Sequence, residues 1–333
     1  MAEKSPDVVI VMKPYDSIPI EYRMDNLDKI VRRAIYIRYA PSVNFALDAK
    51  LIELLFTLPA YFVMWKCLAY TKVEKENAKH YAYQRGKEWL EIGHPRDDFS
   101  VEDFNENDKE YYDFLIEKSK GRKVLMWNTA PQLVVENEME AYGSFLQLGE
   151  NIIEIAKMNE KEIFLIWRPH PRFYEALMDE WGKEKTEDFF EKVREIKNIY
   201  IDEYKQYAPA MFCSDALISD TSSLIDLYIP MLKPILLTLP QNIEKDRLKK
   251  SFEDIVYSGS DYSNIKNFFD MVKMGEHEKI CCQESYAKEN YYSLTNSKSV
   301  AENLLDYIIE MMDREEKILF ENREDRVGTI NFE

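Results

Sequence analysis

Ala216 to Leu239 reads ALISDTSSLIDLYIPMLKPILLTL. Ala216, Leu217 and Ile218 form an apolar run of the length of a buried strand. Ser219-Asp220-Thr221-Ser222-Ser223 follows, built from residue types whose side chains accept hydrogen bonds from the free N–H groups of a helix start. Leu224, Ile225, Leu227 and Tyr228 then recur at helical spacing. Pro230 confines that helix to a short piece, because a proline inside a helix forfeits a hydrogen bond and clashes with the preceding turn. Lys233-Pro234 turns the chain into Ile235-Leu236-Leu237, a second buried strand. A helix that starts just beyond a parallel strand directs free N–H groups and the positive end of its dipole at the mouth of the sheet. With the hydroxyls of Thr221, Ser222 and Ser223 placed there, the ligand this loop suits is a phosphate or diphosphate. Helix capping alone would explain the same residues, so the reading needs a second element.

That element lies upstream. Ile163-Phe164-Leu165-Ile166-Trp167 is another buried strand, and Arg168-Pro169-His170-Pro171-Arg172 follows it. The prolines keep the loop out of a helix. Arginine presents a planar fork of donors that matches phosphate oxygens, and histidine donates to a phosphate or moves a proton near neutral pH. Open α/β sheets bind ligands at the carboxyl ends of their strands, so the two strand ends are expected to face one crevice.

RPHP after an apolar strand, followed by SDTSSLID and by Lys233-Pro234 before the next strand, resembles the CDP-glycerol glycerophosphotransferases of teichoic-acid synthesis. Gly93-His94-Pro95-Arg96-Asp97-Asp98 is similar to that family's GxPRxD segment, in the expected order. Lys123 to Thr129 stands where the family begins its second domain. The likeness covers roughly residues 92–239; Asp226 stands one position earlier than the family's acid.

Composition sets the outer limits. The chain has 333 residues, enough for two domains, with 46% hydrophobic residues and only 9 glycines, which favours α/β architecture. Lys and Arg number 44 against 61 Asp and Glu, a formal net charge of −17. Nucleic-acid binding relies on basic faces, so that class is set aside. Cys67, Cys213, Cys281 and Cys282 form no CxxC pair and no zinc-spaced cluster, which fits a reduced, cytoplasmic protein. The N-terminus lacks the apolar core of a signal peptide, and no apolar run reaches membrane-spanning length. Leu51 to Leu68, interrupted by Glu53, Pro59 and Lys66, reads as a buried helix turning into a strand, with a peripheral membrane face kept open as an alternative.

Taken in order, strands are expected at Val8–Met12, Ala34–Tyr39, Tyr61–Leu68 and Trp89–Ile92. Helices are expected at Tyr22–Arg33 and Glu74–Gly86. Residues 97–112 read as connecting chain. The second half is expected to carry a strand from Lys123, a helix from Met139 to Met158, and a long helical region from Phe173 to Lys197. A strand at Ile199–Ile201 leads to a helix beginning at Asp202-Glu203-Tyr204. The region after Leu239 reads as charged loop. Val300–Met312 is amphipathic and expected to pack back on the first domain, ahead of a charged, fraying tail.

The resemblance implies two Rossmann-like α/β domains facing a cleft, the GT-B arrangement. Residues 1–98 would form a shortened acceptor-side domain, 99–120 a linker, 121–312 the nucleotide-donor domain and 313–333 the tail. It implies transfer of a glycerol-phosphate unit from CDP-glycerol, or a related CDP-polyol, to a hydroxyl of a polyol-phosphate or glycan acceptor, which in one version is lipid-linked. CMP is released and no cofactor takes part. His170 is the expected catalytic residue, with Arg168 and Arg172 supplying charge. Thr221, Ser222 and Ser223 would hold phosphate oxygens, and Asn128 and Thr129 would touch the donor. Asp220 and Asp226 are candidate substrate contacts whose structural reading, capping and helix fixation, carries equal weight. No paired carboxylates suit a divalent metal. The family's HG-type histidine has no counterpart in the APSVNF segment after Tyr39, which leaves His94 as a candidate base. Two other readings stay open: a nucleotide-sugar glycosyltransferase, and a nucleotide-binding relative without transfer activity.

Overall fold

A computed structural model describes residues 6–12, 20, 23, 26, 27, 31, 33–38, 49–133, 143–239 and 250–327. Most of the expected helix Tyr22–Arg33, the APSVNF segment, the start of the expected helix at Met139 and the residues just after Leu239 lie outside that set. The described strands form two parallel sheets.

The first sheet runs β1 (Val9–Val11), β2 (Ala34–Tyr36), β3 (Lys66–Leu68) and β4 (Trp89–Leu90), paired in that order. β3 is shorter than Tyr61–Leu68 suggested. Pro59–Phe62 is a 3₁₀ turn instead, because Tyr61 folds inward: its ring packs on Tyr36 and Trp89, and its hydroxyl donates to the Leu55 carbonyl at 2.9 Å. The next helix spans Lys72–Tyr81, opened by the Thr71 hydroxyl accepting from Glu74 N–H at 3.2 Å.

The second sheet has the order β10-β9-β8-β5-β6-β7, with β5 at Lys123–Thr129, β6 at Ile163–Pro169, β7 at Ile199–Ile201, β8 at Ala216–Ser219, β9 at Ile235–Thr238 and β10 at Tyr257–Gly259. Chain order reverses between β5 and β8, the switch point where doubly wound sheets open a crevice. Both faces are covered, as their near-continuous apolar strands require. Leu125, Trp127, Leu165, Trp167 and Ile218 pack under helices Phe145–Met158 and Tyr262–Met274. Val124, Met126, Phe164, Ile166 and Leu217 form the core on the other face.

Several segments carry more order than the sequence suggested. The expected linker 99–120 contains helix Glu106–Ser119, whose Leu115 is fully buried in the second sheet's core. The helical region from Phe173 splits into Phe173–Trp181 and Lys183–Arg194 at Gly182, whose φ of +82° a helix cannot continue. Asp202-Glu203-Tyr204 starts no helix; the helix there is Ala208–Cys213. After Leu239 the chain supplies edge strand β10 and helices Tyr262–Met274 and Ile280–Asn290.

The C-terminal helix runs Val300–Val327, well past Met312. It packs on the first sheet: Leu304 is buried with Ile35 and Leu68, Tyr307 lies 5.8 Å from Trp65 between ring centres, and Arg33 pairs with Glu315. Among the described residues, no helix is long and apolar enough to cross a membrane.

Candidate active site

A cleft of about 1020 Å³ opens at the carboxyl ends of the second sheet's strands. Register explains why. Asn128 of β5 pairs with Arg168 of β6 on one side and Ser219 of β8 on the other. The loops that follow β6 and β8 therefore leave the sheet on either side of β5. Arg168, His170, Arg172, Asn128, Thr129, Thr221, Ser222 and Ser223 all line this one cleft.

The hydroxyl loop is a helix start. Ser222 is the N-cap of helix Ser223–Tyr228, and its Oγ accepts from Leu224 N–H at 3.2 Å. Capping and ligand binding thus compete for Ser222, whereas Thr221 and Ser223 flank it on the cleft wall.

The arginine loop is held from below. His170 N–H donates to the Thr129 carbonyl at 3.0 Å. Its Nδ1 accepts from Arg172 N–H at 3.2 Å, so the neutral ring carries its proton on Nε2. Partial desolvation, with the charge of Arg172 second, holds the His170 pKa below its ordinary value. At neutral pH this imidazole is an N–H donor. Arg168 is not a free cation: its Nη1 donates to Asp202 Oδ2 at 2.7 Å. Asp202 is buried and also accepts from Tyr111 OH at 2.7 Å and Tyr204 N–H at 3.0 Å. These contacts hold the segment 202–204 out of a helix.

Asn128 donates to the Arg168 carbonyl at 3.1 Å, and Thr129 Oγ1 accepts from Trp167 Nε1 at 3.2 Å. Both line the cleft, but both are buried and tied to β6, so they shape its floor.

Three candidates do not reach the cleft. Asp220 is fully buried; its carboxylate accepts from Ala130 N–H (2.9 Å), Ser144 N–H (3.0 Å), Ser144 Oγ and Thr238 Oγ1 (2.9 Å). It staples the ends of β5 and β9 and the start of helix Phe145–Met158, with its pKa raised by burial. Asp226 is also fully buried, on the inner side of its short helix, where Tyr70 OH lies 3.2 Å from its carbonyl. Although it stands one turn on from Ser222, it does not line the cleft. His94, the candidate base, is 3% exposed. Its Nδ1 accepts from Arg96 N–H at 3.1 Å and its Nε2 lies 2.6 Å from the Arg38 carbonyl, to which it donates. Burial lowers its pKa to about 4. With both nitrogens committed inside the fold, it has no route to a substrate proton.

The cleft lining also holds polar residues that the sequence reading did not put forward, among them Arg96, Arg194, Asp202 and Tyr207. Arg96 was in view within GHPRDD, as a cation between a proline and two carboxylates. Asp202 and Tyr207 gave no signal, since an acid after a strand is ordinarily a helix cap. Among the described residues, no group of three or more His, Cys, Asp or Glu is placed to hold a metal ion.

Comparison with known proteins places this geometry. A search of curated proteins finds no match. Among solved structures, the wall teichoic acid polymerase TagF superposes with a TM-score of 0.57 at 18% identity, over 93% of this chain and 74% of that one. A TagF variant soaked with CDPG for 30 minutes gives 0.54 at 19% identity, over 95% and 73%. UDP-GlcNAc 2-epimerase from Methanocaldococcus jannaschii, in complex with UDP-GlcNAc and UDP, gives 0.57 at 15% identity, over 92% and 76%. At these identities the likeness is one of fold, the two-domain GT-B arrangement. Residues 63–309 match a family described as CDP-glycerol:poly(glycerophosphate) glycerophosphotransferase, and over most of its length this chain belongs to that family.

Proposed function

We propose that the protein transfers a glycerol-phosphate unit from CDP-glycerol, or a closely related CDP-polyol, to an acceptor hydroxyl in the synthesis of a teichoic-acid-like polymer. The observation that carries this reading is one cleft lined by both the Arg168–Arg172 loop and the Thr221–Ser223 loop, in a chain of this family. The donor diphosphate lies across the β5–β8 switch point. Its oxygens take N–H groups from the start of helix Ser223–Tyr228, the hydroxyls of Thr221 and Ser223, and the guanidinium of Arg172. Asp202 holds Arg168 in position rather than leaving it to swing.

In the transfer step the acceptor oxygen bonds to the β-phosphorus. The bond from that phosphorus to the bridging oxygen breaks, its electron pair leaves on CMP, and the hydroxyl proton passes to solvent. Phosphoryl transfer of this kind asks the protein mostly for alignment and for charge stabilisation. His170 supplies the latter by donating Nε2–H to the diphosphate. The acceptor enters from the first-sheet side, within residues 1–98, and is a polyol phosphate or glycan.

Calorimetric titration with CMP, CDP, CDP-glycerol and UDP, followed by single-turnover transfer to a glycerol-phosphate primer, tests the reading. Cytidine nucleotides should bind more tightly than UDP, and CMP should appear in step with transfer. Tighter binding of UDP would favour a nucleotide-sugar glycosyltransferase. Binding without transfer to any polyol primer would favour a nucleotide-binding relative.

A further inference from the structure

The 3₁₀ turn Pro95–Asp98 meets the cleft from the first-sheet side, and its polar residues divide sharply by role. His94, just before the turn, joins it to the Arg38 carbonyl beyond β2. Asp97 accepts from Tyr70 OH at 3.0 Å, just beyond β3, and from Ser293 Oγ. Asp98 accepts from Val300 N–H at 2.8 Å and Ala301 N–H at 2.9 Å, the first turn of the C-terminal helix. These side chains tie the turn to three separate parts of the fold.

Arg96 is different. Its backbone is held by His94, but its guanidinium has no carboxylate or hydrogen-bond partner among the described residues. The guanidinium carbon lies 5.5 Å from the centre of the Tyr207 ring, a stacking support that leaves the charge uncompensated. Arg96 lines the large cleft and also a second cavity of about 570 Å³. Arg168, by contrast, already has its charge balanced by Asp202. A half-buried guanidinium on a rigid turn, stacked on a ring and lacking a counter-ion, is arranged for an anion that arrives with the ligand.

We propose that Arg96 is a catalytic residue that grips the phosphoryl group in transit, opposite the Thr221–Ser223 loop. This inference rests on the transfer reading above. As the acceptor oxygen bonds to the β-phosphorus and the bridging oxygen departs with its electron pair on CMP, charge spreads over the equatorial oxygens. Arg96 meets them with a fixed cation. It stays protonated throughout, and the hydroxyl proton goes to solvent. Because it comes from the acceptor-side unit, its contact is with the moving group rather than with the cytidine, so it strengthens as transfer proceeds.

Arg96→Met keeps the stem over Tyr207 and removes the charge; Arg96→Lys keeps stem and charge but loses the fork. Both are made in the full chain and compared with wild type by thermal melt, CMP titration and single-turnover transfer at saturating CDP-glycerol. CMP affinity should stay within about threefold. Transfer should fall on the order of 10²–10³-fold in Arg96→Met, the usual loss for one preorganised donor at developing charge, and at least about tenfold in Arg96→Lys. Should Arg96→Met not fold, Arg96→Lys and rescue of Arg96→Gly by added ethylguanidinium carry the same decision. Wild-type melting with transfer within threefold would overturn the proposal. So would a loss of CMP affinity equal to the loss of transfer, which would make Arg96 a ground-state binding residue. If wild type itself neither binds CDP-glycerol nor transfers, the reading beneath it fails, and that outcome is visible before any variant is made.

Discussion

His94 caps the turn that contains Asp97, three positions on, and burial moves their protonation in opposite senses. His94 falls from 6.5 to about 4, chiefly through desolvation. Asp97 rises from 3.8 to about 6, again chiefly through desolvation, against the lowering effect of the Ser293 and Tyr70 hydroxyls. Between pH 4 and 6.5 the unfolded chain carries a proton on His94 that the folded protein lacks, so this group makes stability rise with pH. Between pH 3.8 and 6 the folded protein keeps a proton on Asp97 that the unfolded chain has lost, so that group makes stability fall with pH. Each shift exceeds two units, and a unit is worth about 1.4 kcal/mol, so each slope amounts to about 3 kcal/mol and the two nearly cancel. Asp97→Asn removes only the falling slope. Relative to wild type, the variant should gain about 3 kcal/mol of unfolding free energy as pH goes from 4 to 6.5. His94→Asn should show the opposite trend. Urea unfolding at half-unit pH steps measures both. Wild type and Asp97→Asn curves that stay parallel within about 1 kcal/mol across this window would refute the reasoning, because Asp97 would then ionise in the folded protein as it does in the unfolded chain.

Further tests concern the cleft. Ser223→Ala should weaken CDP binding and leave the melt unchanged, whereas Ser222→Ala should also cost about 1 kcal/mol of stability through loss of the N-cap; equal melts with unchanged affinity would return the whole loop to a structural role. His170→Gln should lower single-turnover transfer at saturating CDP-glycerol far more than it lowers donor affinity, because N–H donation strengthens as the leaving phosphate gains charge; wild-type values of both would remove His170 from the site. Asp202→Asn places an amide where Arg168, Tyr111 and Tyr204 N–H all require an acceptor, so it should destabilise by about 3–5 kcal/mol, the cost of breaking a buried pair, and raise the CDP-glycerol dissociation constant; a melt within a degree of wild type would show that the pair does not hold the loop.

The strand–loop–helix units of the second sheet were legible in the sequence. Apolar runs such as Ile163–Trp167 and Ala216–Ile218 are long enough and continuous enough to be buried strands, and the loops that follow them carry residues that line the cleft. Local pattern suffices there because strand burial and helix capping are decided by neighbours within a few positions. The reversal of order between β5 and β8, which brings Arg168 and Ser222 to one crevice, belongs to the sheet and not to either segment. The fate of individual acids and histidines was likewise a tertiary matter. Asp220 and Asp226 look like Thr221 and Ser223 in the chain, yet they point into the core, Asp220 toward Ser144 and Thr238, which lie 76 and 18 positions away. His94 was drawn to the Arg38 carbonyl 56 residues upstream, while Arg96, two residues on, lines the cleft with no carboxylate partner among the described residues. Whether a polar side chain serves the fold or the ligand depends on which distant partner reaches it first, and that is written only in three dimensions.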